Sequence, residues 1–488
     1  MSKKKSTAAS LIAVLGSGAA PFVISLLTLP LLITLIGLER FGLLAIVWMI
    51  TGSVGFLQFG MGRAIVQRIN ASHLGDGDDV EQSRQSIIST SFLLTLFSSL
   101  LAAAVGGLAF HYYCVVFDVA SIKVQNELLT GLPSVFVAIF LGFWINVLLS
   151  IHQADERFAR YSLMKFLNVA GNQLFPLAAA YFLSPDFNFL MAAVALSRVS
   201  TVALLAWGAR KDIFSLSNSH ITRERIFDLL SFGGWVSVIG IASPLLVIID
   251  RFFIGAFFNA KLVGLYTIPY NLCSRLLIVP SSVGNVILPR LARSRDAALD
   301  RSTSQGLHLV ALLITPVLIG FVMAYRPFVS VWIDPKTANA TTAVATILAI
   351  GVWCNSVGQA PFAKLTGEGK VKQIAFWHLF QIPLYIVALI VLLGRFGLIG
   401  AAIAWSCRTL VDSIGLFRIS RTEISWPVVF LLVFLAAICS IEFLEITTFL
   451  KLTFQAMISV FAGGVSISIF LKLGGRAVLR RMWSSLRH

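Results

Sequence analysis

Charge is what this chain has least of. Only 12% of its 488 residues are Asp, Glu, Lys or Arg, against 57% that are hydrophobic, whereas soluble domains carry about 25% charged residues. That excludes a water-soluble enzyme or nucleic-acid-binding domain as the main body, and the mean hydropathy of +0.88 marks an integral membrane protein. Cysteine is scarce too. Cys114, Cys273, Cys354, Cys407 and Cys439 show no CxxC spacing and mostly lie in apolar segments, so they imply neither a disulfide framework nor a metal site. No HExxH, GxSxG or zinc-ligand spacing occurs. Gly367-Glu368-Gly369-Lys370-Val371 holds a Gly-Lys pair with no Ser or Thr after it, so it is not a phosphate-binding loop. The expectation is a non-enzyme without cofactor or metal, driven by an ion gradient or by its substrate's own gradient. Acids are fewer than bases, 22 against 38; in a membrane chain the excess reflects basic cytoplasmic loops rather than nucleic-acid binding.

What the sequence does have is a series of apolar runs long enough to cross about 30 Å of hydrocarbon. They fall at 9–37, 41–62, 86–109, 129–151, 165–183, 188–208, 230–256, 263–288, 306–325, 340–362, 373–394, 397–417, 426–444 and 453–474. Ser184-Pro185-Asp186 divides the fifth from the sixth, and Gly394-Arg395-Phe396-Gly397 the eleventh from the twelfth. Lys3, Lys4 and Lys5 precede a first run too long for a signal peptide, which reads as a retained helix. With both termini cytoplasmic, 27 of the 38 basic residues fall inside, seven outside and four within spans. That alternation predicts an all-α, multi-pass membrane protein of fourteen transmembrane helices. No connecting stretch is long enough for a soluble domain, so function must lie in the helix bundle or on short loops.

The sequence also repeats itself weakly. Ala192-Ala193-Val194-Ala195-Leu196-Ser197-Arg198 matches Ala401-Ala402-Ile403-Ala404-Trp405-Ser406-Cys407-Arg408, with the arginine one place later. Gln173 and Pro176-Leu177 match Gln381 and Pro383-Leu384; Phe41-Gly42-Leu43-Leu44 matches Val263-Gly264-Leu265-Tyr266; Pro21 matches Pro244. The shared order predicts two pseudo-symmetric six-helix bundles, 1–210 and 211–425, followed by 426–488 with two further helices and a basic tail. Repeats of this kind typify secondary transporters that bind substrate between the halves.

Four arginines, Arg198, Arg251, Arg275 and Arg408, sit inside the spans. Each costs about 2.5–3.5 kcal/mol at the bilayer centre if it faces lipid, or about 10–14 kcal/mol for all four. Such residues are expected to face a protein-lined cavity. Asp250 and Asp412 are the clearest acids there, so the cavity is expected to be cationic and its cargo anionic. Arg198 and Arg275 have no acid partner on their own helices. Arg251 is near the outer interface and can also snorkel. Arg408 and Asp412 are four residues apart and can pair directly, which leaves open whether Arg408 binds cargo or only closes an ion pair. Asn271, Arg275, Ser282 and Asn285 make a polar stripe along the eighth helix. Asp250, Asp412 and Asn271 are the candidate supporting or ion-coupling residues. Gln58, Asn172, Gln173 and Gln381 read as interhelical hydrogen-bond residues, and the lone His378 as structural.

Several segments resemble one known group of transporters: Gly37-Leu38-Glu39-Arg40-Phe41-Gly42-Leu43, Phe59-Gly60-Met61-Gly62, Ile249-Asp250-Arg251-Phe252-Phe253-Ile254-Gly255, Leu288-Pro289-Arg290-Leu291 and Gly397-Leu398-Ile399-Gly400-Ala401-Ala402. They resemble the polysaccharide-transporter branch of the multidrug/oligosaccharidyl-lipid/polysaccharide (MOP) flippase superfamily, most closely the O-antigen (Wzx-type) flippases. The resemblance implies a V-shaped, MATE-like pair of lobes around a central cavity. It also implies outward movement of an undecaprenyl-pyrophosphate-linked oligosaccharide, with a polysaccharide polymerase and a chain-length regulator as partners. Arg198, Arg275 and Arg408 would supply the family's cavity cations. A peptidoglycan lipid-precursor flippase and a multidrug cation antiporter of the same fold remain as alternatives.

Overall fold

An apolar run in hydrocarbon has no water to satisfy its backbone, and a helix satisfies it within one segment. The computed structural model of the chain is helical accordingly, with no strand among the described residues. It describes residues 2–53, 78–155, 157–210, 248–278, 297–424 and 426–442, together with isolated positions among 62–69, 213–246 and 280.

The helical run Ser2–Ser53 is broken at Gly37 (φ 76°, ψ 165°) into α1 (2–36) and α2 (38–53). Then come α3 (Asp78–Val116), α4 (Ile122–Ala154), α5 (Phe158–Phe182) and α6 (Phe187–Gly208). A helix α7 over 248–257 precedes α8 (Ala260–Arg275), α9 (Ala297–Trp332) and α10 (Pro335–Gly367). The run Val371–Ser420 is broken at Gly397 (φ 58°, ψ −138°) into α11 (371–396) and α12 (398–420), and α13 is Trp426–Glu442. Both breaks use left-handed or related backbone that a side chain disfavours, and both fall where the apolar runs were divided from sequence. Among the described residues, seven helical runs are long and apolar enough to cross a membrane, and the first and last of these each hold two helices joined at a glycine. Residues 453–474 and most of 230–247 lie outside the described residues, and with them the fourteenth span and much of the seventh.

The chain divides into two compact units, Met1–Gly264 and Leu265–His488. In the first, α4 packs along α3 and α6, and α5 along α1 and α6. Ile145, Leu148, Ile151, Met164 and Leu205 form part of its buried core. In the second, α10 is the central helix against α9, α11 and α12, with α13 laid on α9. Large apolar side chains also stand fully outward, among them Leu101 (67% exposed) and Val331 (91%), as a lipid-facing surface requires. Inside, hydroxyls bond back to their own helix, as Thr90 does to the Ser86 carbonyl and Thr315 to the Ala311 carbonyl; each such bond avoids an unsatisfied group in a dry interior.

The matched segments around Gly42 and Gly264 meet in space. A methyl group on Gly42 would overlap the Ala260 carbonyl oxygen, and one on Gly264 would lie 2.6 Å from the Leu38 carbonyl oxygen. Only the absence of both side chains lets the starts of α2 and α8 approach this closely.

α8 ends earlier than the 263–288 run suggests. After Arg275 the amides of Leu276 and Leu277 turn to the carbonyls three residues back, on Cys273 and Ser274. Ile278 and Pro280 are again helical, so the turn at 276–277 is a break within the apolar run.

Candidate functional site

Each unit holds two of the four arginines, and their surroundings differ. In the first unit Arg198 projects from α6 between α4 and α5 and is only 6% exposed. Its Nη1 donates to the Ala138 carbonyl (2.7 Å) and its Nε to Oδ1 of Asn172 (3.4 Å). Gly142 leaves the room it needs: a Cβ there would stand 2.6 Å from Nη1. Thr201, one turn on, bonds to the Ser197 carbonyl instead. Asn172 in turn donates to the Asn168 carbonyl, and Gln173 ties α5 to α1 through Ser25 and Thr28.

Arg251, on α7, is likewise 6% exposed, and Asp250 is fully buried. The Asp250 carboxylate accepts the Arg251 backbone amide at 2.8 Å, and Nη1 of Arg251 lies 3.7 Å from the Met49 sulfur on α2. Next to it, the Tyr113 hydroxyl donates to the Phe252 carbonyl at 2.6 Å. This part of α7 is thus tied to both α2 and α3.

In the second unit Arg275 is exposed at the end of α8, with neither a hydrogen bond nor an ion pair to the described residues. Asn271, one turn earlier, is half-buried, and its carbonyl accepts the Ser274 hydroxyl at 3.3 Å. Ser282 and Asn285, the rest of the expected stripe, lie outside the described residues.

Arg408 corrects a sequence-based expectation. It forms no ion pair with Asp412 although the two are one turn apart. The Asp412 carboxylate faces α11, where its Oδ1 accepts Nε2 of Gln381 at 2.7 Å and lies 3.4 Å from Nε2 of His378. Trp377 donates to the Asp412 carbonyl at 3.3 Å, and His378 stacks on Phe362 of α10. The pairing fails because a short carboxylate is captured across the helix interface before a long arginine can reach it. Arg408, 8% exposed, is held by rings instead: its guanidinium carbon lies 5.8 Å from the centre of Tyr385 on α11 and 5.8 Å from that of Trp405. Such contacts stabilise a cation by about 0.5–2 kcal/mol without using its N–H donors. The Arg408 Nε and the Trp405 Nε1 are buried with no hydrogen-bond partner among the described residues. Tyr270 of α8 closes edge-on against Trp405 at 5.6 Å.

Tyr385 and Trp405 are the residues that sequence reasoning missed, although spacing could have found them. His378, Gln381 and Tyr385 are three and four residues apart, as are Trp405, Arg408 and Asp412. Two antiparallel helices place such stripes face to face. What the arrangement offers is a buried, permanently charged guanidinium with donors free for an anion. No group of three or more His, Cys, Asp or Glu able to hold a metal occurs among the described residues.

Comparison with known proteins agrees with this architecture. A family described as "Polysaccharide biosynthesis protein" matches residues 31–336. A protein of Shigella flexneri named "Putative O-antigen transporter" is 28% identical over 402 residues, covering 81% of this chain and 93% of that protein. Among solved structures, the lipid II flippase MurJ in an inward closed conformation matches 95% of this chain and 98% of its own, with TM-score 0.71 and 14% identity. An inward-facing multidrug resistance MATE family transporter of the MOP superfamily matches 84% and 95%, with TM-score 0.65 and 16% identity. The chain therefore has the fold of the MOP flippases and belongs to the polysaccharide biosynthesis protein family.

Proposed function

We propose that the protein is a flippase that carries an undecaprenyl-pyrophosphate-linked oligosaccharide, the repeat unit of an O-antigen or similar surface polysaccharide, outward across a bacterial inner membrane by alternating access. The observation that carries this reading is Arg408, a guanidinium buried between Tyr385 and Trp405 with no carboxylate or carbonyl bonded to it. A diphosphate supplies the acceptors it lacks, and arginine keeps its charge in a low-dielectric site at any physiological pH. Arg275, which has no partner among the described residues, is the second candidate contact, while Arg198 and Arg251, each engaged by protein atoms, hold the first unit together. Both bundles, 1–210 and 211–425, take part, with 426–488 as an accessory segment, and both termini face the cytoplasm. Asp412 and Asp250, with Asn271, are the supporting or ion-coupling residues. A polysaccharide polymerase and a chain-length regulator would act on the delivered unit.

A cation exporter needs acids free to meet its cargo. Asp250 and Asp412 are instead engaged by protein donors, while two arginines are free, so the charge balance disfavours that alternative. The test is a deletion strain: one surface polysaccharide should disappear while its lipid-linked unit builds up on the inner leaflet, and the cloned protein should restore export. Drug sensitivity with normal polysaccharide would overturn the reading, and arrested cell-wall synthesis would point to a peptidoglycan-precursor flippase.

A further inference from the structure

One end of the first unit carries cations that the transport reading does not use. There α4 ends, α5 begins and α6 ends. Asp155 is occupied: its Oδ1 pairs with Arg84 at 2.6 Å and its Oδ2 with Arg157 at 3.2 Å. Arg157 also reaches the Gly208 carbonyl at the end of α6, at 3.5 Å. Among the described residues, Arg160, Lys165 and Arg210 have no hydrogen bond or ion pair. Two of them rest on aromatic rings. The Arg210 guanidinium lies 5.0 Å from the centre of Trp207, which is 69% exposed, and the Lys165 Nζ lies 5.8 Å from the centre of Tyr161. The lysine side chain thus runs back along α5 towards its start, as lysines do when they reach from the apolar layer to the headgroups.

A second, independent feature lies beside Arg160. His152 is 1% exposed; its Nδ1 bonds to the Leu148 carbonyl at 2.9 Å, and its Nε2 has no partner. A Cβ on Gly208 would be 2.6 Å from that nitrogen and 2.8 Å from the Arg160 guanidinium carbon, so the two groups sit side by side at the end of α6. An exposed tryptophan, with three cations and a buried nitrogen that have no partner among the described residues, forms a cradle suited to a phosphate at a membrane surface.

We propose that this end of the first unit binds the phosphate headgroup of an anionic phospholipid of the surrounding bilayer. Arg160 and Arg210 contact the phosphate, Lys165 adds charge from the apolar side, and Trp207 sets the depth. The described residues at the opposite end of the unit offer no such site. There Arg40 is held by Glu127 and Asp186, and Glu127 also accepts the Phe187 amide.

The test uses the full chain in vesicles of phosphatidylcholine alone or of equal parts phosphatidylcholine and phosphatidylglycerol. Brominated phosphatidylglycerol should quench tryptophan fluorescence more than brominated phosphatidylcholine does, and phosphatidylglycerol should raise the thermal midpoint. Combined Arg160→Gln, Lys165→Gln and Arg210→Gln should weaken phosphatidylglycerol binding about a hundredfold, the product of three charges near the surface, and leave the phosphatidylcholine midpoint unchanged. Arg210→Gln alone, on an exposed side chain, should weaken it about fivefold and serves if the triple variant does not fold. Lys123→Gln, at the opposite end, should change nothing. An undiminished lipid preference in the variants overturns the proposal. So does an equal loss of stability in phosphatidylcholine, which would reduce these cations to stabilising the end of α6. Competition by inorganic phosphate as strong as by the lipid would also overturn it, because the ligand would then be the free ion.

Discussion

Arg198 and Arg408 follow the same kind of alanine-rich stretch in the two halves of the sequence repeat, and both are buried. Arg198 is bonded to the Ala138 carbonyl and to Asn172, whereas Arg408 is enclosed by Tyr385 and Trp405 and hydrogen-bonded to none of the described residues. A buried cation in contact with a carbonyl and an amide stabilises its own bundle. A buried cation among rings keeps its donors for something that arrives from outside. On the proposed function, the same sequence signal serves packing in one unit and recognition in the other. The repeat locates the position without deciding the role.

The widest gap between the two is expected on transport. Arg408→Ala should leave membrane protein levels near wild type but reduce flipping about a hundredfold, the loss of a charge-assisted pair of hydrogen bonds of about 3 kcal/mol. Arg408→Lys should recover part of it, as a point charge without the fork. The readout is surface-polysaccharide complementation normalised to protein level, and full activity of the alanine variant would erase the distinction. Arg198 should behave in the opposite way. Arg198→Ala should destabilise the protein by about 2 kcal/mol through an unfilled site and a lost carbonyl contact, while Arg198→Met, which fills the space, should restore both level and transport. A folded but inactive Arg198→Met variant would return Arg198 to the substrate path.

The units contrast again at two aspartates that begin helices. Asp334 caps α10, accepting the Thr337 amide at 2.9 Å and its hydroxyl at 2.6 Å. Asp186 precedes α6 but makes no cap, because its oxygens are taken by Arg40 and Ser184. Burial acts to raise the Asp334 pKa, but the Thr337 side chain and the amides of Thr337 and Lys336 outweigh it and hold the group below the usual 3.8. A depressed folded value means the stabilisation is complete above the ordinary carboxylate pKa and disappears as pH falls through the folded one. Asp334→Ala should therefore cost about 1 kcal/mol at neutral pH and nothing in strong acid. Thermal unfolding across pH checks this, and an equal cost at every pH would refute it.

The smallest effect is expected at Asp412. Since it does not pair with Arg408, Asp412→Asn should lower transport only about twofold, with the Gln381 contact kept by an amide rotamer. Arg408→Ala with Asp412→Ala should be no better than Arg408→Ala alone. Recovery in the double variant would mean that the two form a pair during transport.

Much of the fold was legible because it is local. The helices α1–α13 lie where apolar runs do, and the glycines at 37 and 397 sit at their divisions. The Gly42 and Gly264 segments, matched by sequence, turn out to touch. The division of labour among the arginines was not legible, since it depends on partners distant in sequence. Arg198 finds its carbonyl 60 residues away and Asp412 its glutamine 31 away. A four-residue spacing suggested a pair that the packing of α11 on α12 does not make. The break after Arg275 was not legible, because the apolar run continues through it.

Equilibrium binding of undecaprenyl pyrophosphate to the purified protein, compared between Arg408→Ala and Arg198→Met, tests the central distinction most directly. The free guanidinium of the second unit predicts about a hundredfold weaker binding for Arg408→Ala and affinity near wild type for Arg198→Met. Equal affinities in the wild type and Arg408→Ala, or a loss confined to Arg198→Met, would contradict it.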